Sequence, residues 1–259
     1  MTMYLIYILS SLAGGVLVGM AGLTAAMVLT PILGSVCGWN GYDAVTMSLV
    51  ANVPSAIITS YTYYKNGNID MKRGGSMALS AFAGAVVGSW LGYLFSKVSE
   101  NGVSYAVIIM NLFLALQYLK PAKSKAQKET LTEQEQVKAK RKMVTALILG
   151  FLIGVECGFM GSAGGALMLM VLTLVLGMDA KMAVGTSSLV MTLVALTGAV
   201  SHLMMGAKLE IVPAIVMTIS CTFGAVVSSK FANKVSDTTM NRAAAIVLIL
   251  VSVASLLLG

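Results

Sequence analysis

The chain contains eight long apolar runs, separated by short stretches that carry most of its charged residues. About 20 apolar residues in helical form cross the ~30 Å hydrocarbon core of a bilayer. Only 10% of the residues are charged, against about 25% in soluble domains. Because the runs are long and unbroken, they exclude a β-barrel. We therefore predict an all-α polytopic membrane protein. Its runs cover residues 3–38, 43–64, 75–96, 103–119, 143–177, 182–205, 211–229 and 240–258.

The first run of each half, residues 3–38 and 143–177, is too long for a single crossing. About 35 helical residues at about 1.5 Å each would extend over more than about 50 Å. Both runs contain glycine clusters, and glycine weakens a helix. We predict that each first segment is broken or re-entrant at its glycines. These are Gly14, Gly15, Gly19 and Gly22 in the first run, and Gly150, Gly154, Gly158, Gly161, Gly164 and Gly165 in the second.

The two halves match each other at a fixed offset of 139 residues, without a gap. The offset pairs Gly19 with Gly158, Gly22 with Gly161, Leu33 with Leu172, Gly38 with Gly177, Ala44 with Ala183, Val45 with Val184, Ser48 with Ser187 and Gly67 with Gly206. Coincidence in a glycine-rich composition is the alternative, and the ungapped match favours duplication. We predict an N-terminal transmembrane repeat over 1–120, a basic linker over 121–142 and a C-terminal transmembrane repeat over 143–259.

The basic residues predict the orientation in the membrane. Eight of the seventeen Lys and Arg residues lie between Lys120 and Lys142. Because cytoplasmic loops collect basic residues, we place the linker in the cytoplasm and the chain in the cytoplasmic membrane. If each broken run is a hairpin, each half has five segments, so the repeats are inverted and both termini lie outside. Inverted repeats with discontinuous helices are typical of secondary transporters, which bind substrate where the breaks meet.

Glu156 is the one formally charged residue inside an apolar run rather than at its end or in a loop. An ionisable group at membrane depth is costly, and it is a functional-site hypothesis by default. We therefore predict proton coupling through this carboxyl. The alternatives are a carboxyl held neutral by a backbone partner, or one near the aqueous end of a half-helix.

Glycine and hydroxyl residues around the two breaks predict an anion site. A helix start leaves N–H groups free and carries partial positive charge, which attracts small anions. A second polar group follows one segment later in each half. The structural alternative is that these small residues serve helix packing. The predicted substrate-binding residues are Gly22, Leu23, Thr24, Ser48, Asn52, Gly161, Ser162, Gly164, Gly165, Thr186, Ser187 and Ser188.

Other chemistry leaves no signature in the sequence. It has no GxxxxGK[ST], HExxH or GxSxG motif, and its three cysteines form no CxxC pair. We expect no catalytic residue, no metal and no cofactor. The expected partners are the lipid bilayer, a small anionic substrate and a coupling proton or sodium ion, without nucleic acid, and a homo-oligomer is left open. His202, the only histidine, is expected at the membrane interface because it lies near a segment end.

The paired motifs resemble the TauE/SafE family of sulfite and organosulfonate exporters. The residues that carry the resemblance are Gly19, Gly22, Pro31, Ala44, Val45, Ser48 and Gly67 to Asp70, and in the second copy Gly158, Gly161, Gly164, Gly165, Ala183 to Ser187 and Gly206. The sequence departs from the family pattern at Thr24 to Ala26, where glycines are usual, and at Met170, where a proline is usual.

The resemblance implies a transporter of a small sulfur-containing oxyanion such as sulfite, thiosulfate or an organosulfonate, driven by an ion gradient. A transporter of a different small anion or of an organic sulfur compound is the alternative. A third reading is an intramembrane enzyme that uses Cys157 beside Glu156. No further motif supports that reading.

Overall fold

The computed structural model describes residues 2–99, 102–118, 133–232 and 237–258. Within these ranges the chain forms ten α-helices and no strand, which confirms the all-α prediction. Six helices are long and apolar enough to cross a membrane. The helices are α1 (Thr2–Ala21), α2 (Ala26–Pro31), α3 (Gly41–Lys65), α4 (Met71–Ser96), α5 (Gly102–Tyr118), α6 (Glu133–Met160), α7 (Gly164–Met170), α8 (Ala180–Met204), α9 (Ile211–Ala232) and α10 (Asp237–Leu258).

Both long apolar runs are broken. Helix α1 ends at Ala21 and α2 begins at Ala26, whereas α6 ends at Met160 and α7 begins at Gly164. Each short helix continues as one π-helical stretch, Ile32–Val36 after α2 and Val171–Val175 after α7. The first residues of the breaks, Gly22 and Gly161, have φ of 63° and 71°. Side chains with a Cβ rarely adopt this conformation, so glycine is required at both positions.

The first broken run folds back on itself. The rings of Tyr7, near the start of α1, and Trp39, after the π-helical stretch, meet at 6.2 Å between centroids in an edge-to-face arrangement. A Cβ added to Gly14 of α1 would lie 3.2 Å from the Cβ of Ala25. The chain therefore returns along α1 after the break, which makes α1 and α2 a re-entrant hairpin.

The other glycines of the clusters lie inside helices and serve packing. A Cβ added to Gly15 would lie 2.0 Å from the carbonyl oxygen of Cys221, so α1 approaches α9 closely. A Cβ added to Gly154 would lie 2.1 Å from the carbonyl oxygen of Ala81, so α6 approaches α4 in the same way. Small residues permit such backbone contact between helices in a membrane. Only one glycine of each cluster, Gly22 or Gly161, therefore begins a break.

The five-helix order occurs twice along the chain. The six glycines with positive φ among the described residues form three pairs at the predicted offset: Gly22 and Gly161, Gly38 and Gly177, Gly67 and Gly206. Helices α3 and α8, which correspond to each other, lie antiparallel. Thr46 near the start of α3 contacts His202 near the end of α8 at 3.0 Å. A Cβ added to Gly185 near the start of α8 would lie 2.8 Å from the Cβ of Tyr63 near the end of α3.

Helices α3 and α8 form the centre of the bundle. Their most apolar stretches are 67% and 72% buried, against 33% to 44% in the other four membrane-length helices. Large apolar side chains on the outer helices, such as Leu79, Ile109 and Ile219, are exposed, as expected for a surface that faces lipid.

The boundary of the predicted linker differs in part from the structure. Helix α6 begins at Glu133, so residues 133–142 are helical and continuous with the second broken run. The remainder of the predicted linker, residues 121–132, lies outside the described residues. The division into two repeats and a linker, and the orientation of the repeats in the bilayer, stay predictions.

Candidate substrate site at the paired helix breaks

The two breaks meet inside the bundle. The Thr24 hydroxyl in the first break donates a hydrogen bond to the carbonyl oxygen of Ser162 in the second. A Cβ added to Gly165 would lie 2.5 Å from the carbonyl oxygen of Gly22 and 2.8 Å from the Cα of Leu23. We call this contact between residues 22–26 and 161–165 the break junction. The junction is closely packed.

Ser187 of α8 joins the two sides of the junction. Its hydroxyl oxygen lies 3.3 Å from the carbonyl oxygen of Gly22 and 3.1 Å from that of Gly165. A hydroxyl has one proton, so the two carbonyl oxygens share a single donor. Ser187 is fully buried. The structure thus brings together six of the residues predicted to bind substrate, and their role in binding stays a prediction: Gly22, Leu23, Thr24, Ser162, Gly165 and Ser187.

Asn52 of α3 binds the first break. Its Oδ1 accepts a hydrogen bond of 3.0 Å from the backbone N–H of Ala25. Its Nδ2 has no partner among the described residues, although the side chain is fully buried. Ser48, one turn earlier, donates to the carbonyl oxygen of Ala44 at 2.7 Å and accepts from Thr30 of α2 at 3.1 Å. Asn52 thus accepts a hydrogen bond at the junction and holds an unpaired amide donor there, whereas Ser48 joins α2 to α3.

Glu156 binds the second break. Its Oε1 accepts hydrogen bonds from the backbone N–H of Ala163 at 3.0 Å and from the Ser162 hydroxyl at 3.2 Å. Its Oε2 is buried and has no partner in the described part of the chain. The carboxyl therefore already occupies donors that the sequence prediction assigns to substrate. Gly161 and Gly164 complete this break, and a Cβ added to Gly164 would lie 2.9 Å from the Cβ of Cys157.

Two predicted residues have other partners. The Thr186 hydroxyl accepts a hydrogen bond of 3.1 Å from the backbone N–H of Asp70, and its methyl group faces Gly74 at the start of α4. The structure therefore does not bring Thr186 to the junction. Ser188 lies beside Gly22, but its hydroxyl donates to the carbonyl oxygen of Val184 in its own helix at 2.9 Å.

His202 is fully buried in the bundle, and its place at the depth of the membrane interface stays a prediction. Its Nε2 lies 2.8 Å from the carbonyl oxygen of Gly158, and its Nδ1 lies 3.0 Å from the Thr46 hydroxyl. Because a carbonyl oxygen only accepts, Nε2 carries a proton. Its ring stacks on Tyr42 with centroids 4.3 Å apart. His202 therefore fixes the last turn of α6 against α3.

The first copy has an equivalent bond, which the sequence analysis missed. The Tyr63 hydroxyl lies 3.5 Å from the carbonyl oxygen of Gly19. The offset of 139 residues relates Tyr63 to His202 and Gly19 to Gly158. In each copy, a ring near the end of the third helix thus binds the last turn before the break. The offset was the signal that could have found this pair.

A cavity of about 550 Å³ opens where α3 begins and α4 and α8 end. Its lining includes Asn40, Tyr42, Asp43, Tyr93 and Lys208. The backbone N–H of Lys208 donates to Asp43 Oδ1 at 2.8 Å. Because Tyr42 stacks on His202 and His202 binds Gly158, these rings separate the cavity from the last turn before the second break. We call this cavity the vestibule.

Two broken helices meet inside a bundle of membrane-length helices. This is the architecture of a multi-pass membrane transporter. The family comparison agrees. The sequence pattern of the sulfite exporter TauE/SafE family matches residues 7–255, and the chain belongs to this family of membrane transporters.

Two curated relatives from Bacillus subtilis (strain 168) match over most of their length. The chain is 24% identical to the probable membrane transporter protein YunE, over 97% of this chain and 96% of the relative. It is 26% identical to the probable membrane transporter protein YdhB, over 85% of this chain and 86% of the relative. No solved structure matches the chain.

Proposed function

We propose that this protein is a secondary transporter that moves a small sulfur-containing oxyanion, such as sulfite, thiosulfate or an organosulfonate, across the cytoplasmic membrane. The observation that carries the proposal is the break junction. It gathers an Asn52 amide donor that has no partner among the described residues, hydroxyls of Thr24, Ser162 and Ser187, and the N–H groups at two helix starts. The family to which the chain belongs supports the class of substrate.

The donors at the junction suit an oxyanion that is only weakly hydrated. Sequence segments 22–26 and 161–165 contain no Lys or Arg, so recognition rests on hydrogen bonds and on the partial charge of the helix starts. Leu23 and Ala163 line the junction with apolar groups. A tetrahedral or pyramidal oxyanion can accept several hydrogen bonds at once from such donors.

The packed junction represents an occluded state of an alternating-access cycle. If the basic linker lies in the cytoplasm, the loop between α3 and α4 also faces the cytoplasm and the vestibule opens to the outside. The antiparallel α3 and α8 support inverted repeats, with both termini outside. Access from the two sides then requires the breaks to separate alternately toward each surface.

Transport into proteoliposomes tests this function. Purified protein in liposomes should take up labelled sulfite faster than protein-free liposomes, and an imposed ion gradient should accelerate the uptake. Thiosulfate and methanesulfonate should compete, whereas acetate should not. Uptake that acetate inhibits as well as thiosulfate does would instead favour the alternative, a transporter of a different small anion. Absence of uptake of all three sulfur anions would contradict the proposal.

A further inference from the structure

We propose that Glu156 is an internal competitor of the transported anion, so that the anion binds only when Glu156 has taken up a proton and both then cross the membrane together. This inference rests on the proposed function, because it concerns the same break junction. To that function it adds that the coupling ion is a proton, that one proton moves per anion, and that the proton and the anion move in the same direction.

Glu156 already holds donors of the second break. One oxygen, Oε1, accepts from both the Ala163 N–H at 3.0 Å and the Ser162 hydroxyl at 3.2 Å. These groups precede the helical segment Gly164–Val175 and are the donors that an oxyanion would use there. A carboxylate and an oxyanion cannot share them, because two negative charges in contact repel strongly in a weakly polar interior. Binding of the anion therefore requires that the carboxylate becomes protonated or moves away from these donors.

Two buried polar atoms have no partner in the described part of the chain, Asn52 Nδ2 and Glu156 Oε2. Asn52 is fully buried and binds the first break through Ala25. The first break in turn binds the second through Thr24 and Ser162, so the side chains of Asn52 and Glu156 both bind the junction. Unpaired buried polar atoms cost about 1–3 kcal/mol each and are uncommon.

A proton and an anion together satisfy both atoms. A proton on Oε2 converts that acceptor into an O–H donor. The anion can then accept from this O–H, from Asn52 Nδ2 and from the donors that Oε1 releases. For a monovalent anion, the loaded and unloaded junctions carry the same charge. In the unloaded protein the carboxylate holds the donors itself, which allows the breaks to close without substrate.

In the described part of the chain, the helices packed against α6 carry Lys and Arg only at their ends. In the part of the chain that the structure describes, the elements packed against α6 are α4, α5, α7 with its π-helical stretch, and α8. No Asp, Glu, Lys or Arg lies in α5, α7 or residues 74–96 of α4. The titratable and charged groups of these elements and of α6 near Glu156 are Cys157, His202 and Lys181 of α8, Tyr93, Lys72 and Arg73 of α4, and Tyr105 and Tyr118 of α5. Lys72 and Arg73 lie in the first turn of α4, and Lys181 lies at the end of α8 opposite His202.

Binding of methanesulfonate to the purified protein tests the inference, because this anion keeps its charge across the pH range used. The wild-type dissociation constant should rise about tenfold per pH unit once Glu156 is mostly ionised, which reports one proton taken up per anion. Glu156→Gln cannot ionise, so its dissociation constant should be independent of pH. The matched control Glu210→Gln, at an exposed loop carboxyl, should keep the wild-type slope.

In proteoliposomes, methanesulfonate entry through the wild-type protein should make the outside medium more alkaline by one proton per anion. Glu156→Gln should exchange labelled for unlabelled methanesulfonate without proton movement.

Ser162→Ala retains Glu156 and loses one donor. Its dissociation constant for methanesulfonate should therefore be higher at every pH, with an unchanged slope against pH. Ser162→Ala also tests the inference if Glu156→Gln fails to fold, since a slope lost in that variant would contradict it.

The possible results distinguish a failure of the inference about Glu156 from a failure of the proposed function. A wild-type protein that binds and transports sulfur anions without pH dependence, or with dependence on sodium instead, overturns the inference and leaves the function standing. A Glu156→Gln variant that keeps the pH slope overturns it as well. A folded wild-type protein that neither binds nor transports any of the sulfur anions overturns the proposed function itself.

Discussion

At the residue scale, the orientation of a side chain around its helix decides which polar groups serve the site. Thr186, Ser187 and Ser188 are consecutive in α8, yet only Ser187 donates across the break junction. Successive residues of a helix are separated by about 100° around its axis, so neighbours cannot face the same way. The sequence predicted all three, because it identifies residue types near a break but not the rotation of the helix.

Ser187→Ala should weaken the junction. It removes the one donor shared by the Gly22 and Gly165 carbonyl oxygens, which should lower the free energy of unfolding by about 1 kcal/mol. Ser188→Ala is the matched control, since that buried hydroxyl bonds only within its own helix. Thermal unfolding in detergent measures both variants, and anion uptake should slow in Ser187→Ala alone. Equal losses in the two variants would contradict a special role for Ser187.

At the element scale, the existence of the breaks was predictable and their positions were not. The length of each run required a break, but the glycine clusters offered several positions for it. Gly22 and Gly161 adopt positive φ, whereas Gly15 and Gly154 lie against the backbones of α9 and α4. A glycine that turns the chain and a glycine that admits a neighbouring helix look alike in a single sequence. Only the tertiary contacts distinguish them.

Gly88→Ala should separate α4 from α6. A Cβ at this position would lie 2.0 Å from the carbonyl oxygen of Val155, so one backbone must shift. We expect a loss of stability of about 1–3 kcal/mol. Gly75→Ala in the same helix is the matched control, because its Cβ would meet nothing within 4 Å. That change should be neutral or stabilise α4 by up to about 1 kcal/mol. Comparison of the two unfolding temperatures checks the prediction, which a stable Gly88→Ala variant would contradict.

At the scale of the whole molecule, the proposed inversion of the repeats places corresponding loops on opposite surfaces. Asn66 follows α3 and Lys208 follows α8, and both are exposed. In a background with Cys37→Ser, Lys208→Cys should react with a membrane-impermeant maleimide added outside intact cells. Asn66→Cys should react only after the membrane is permeabilised. Reaction of both variants from the same side would contradict inverted repeats.

The bundle also constrains which parts can move relative to each other. Helix α1 of the first copy packs through glycine on α9 of the second, and α6 of the second packs in the same way on α4 of the first. Each copy is therefore interlocked with the other, and neither can rock as a separate rigid body without breaking backbone contacts. We infer that the mobile units are mixed pairs, α1 with α9 and α4 with α6. Each pair contains one broken helix and packs beside the central α3 and α8. In the proposed cycle, separation of the breaks toward one surface therefore moves helices of both copies.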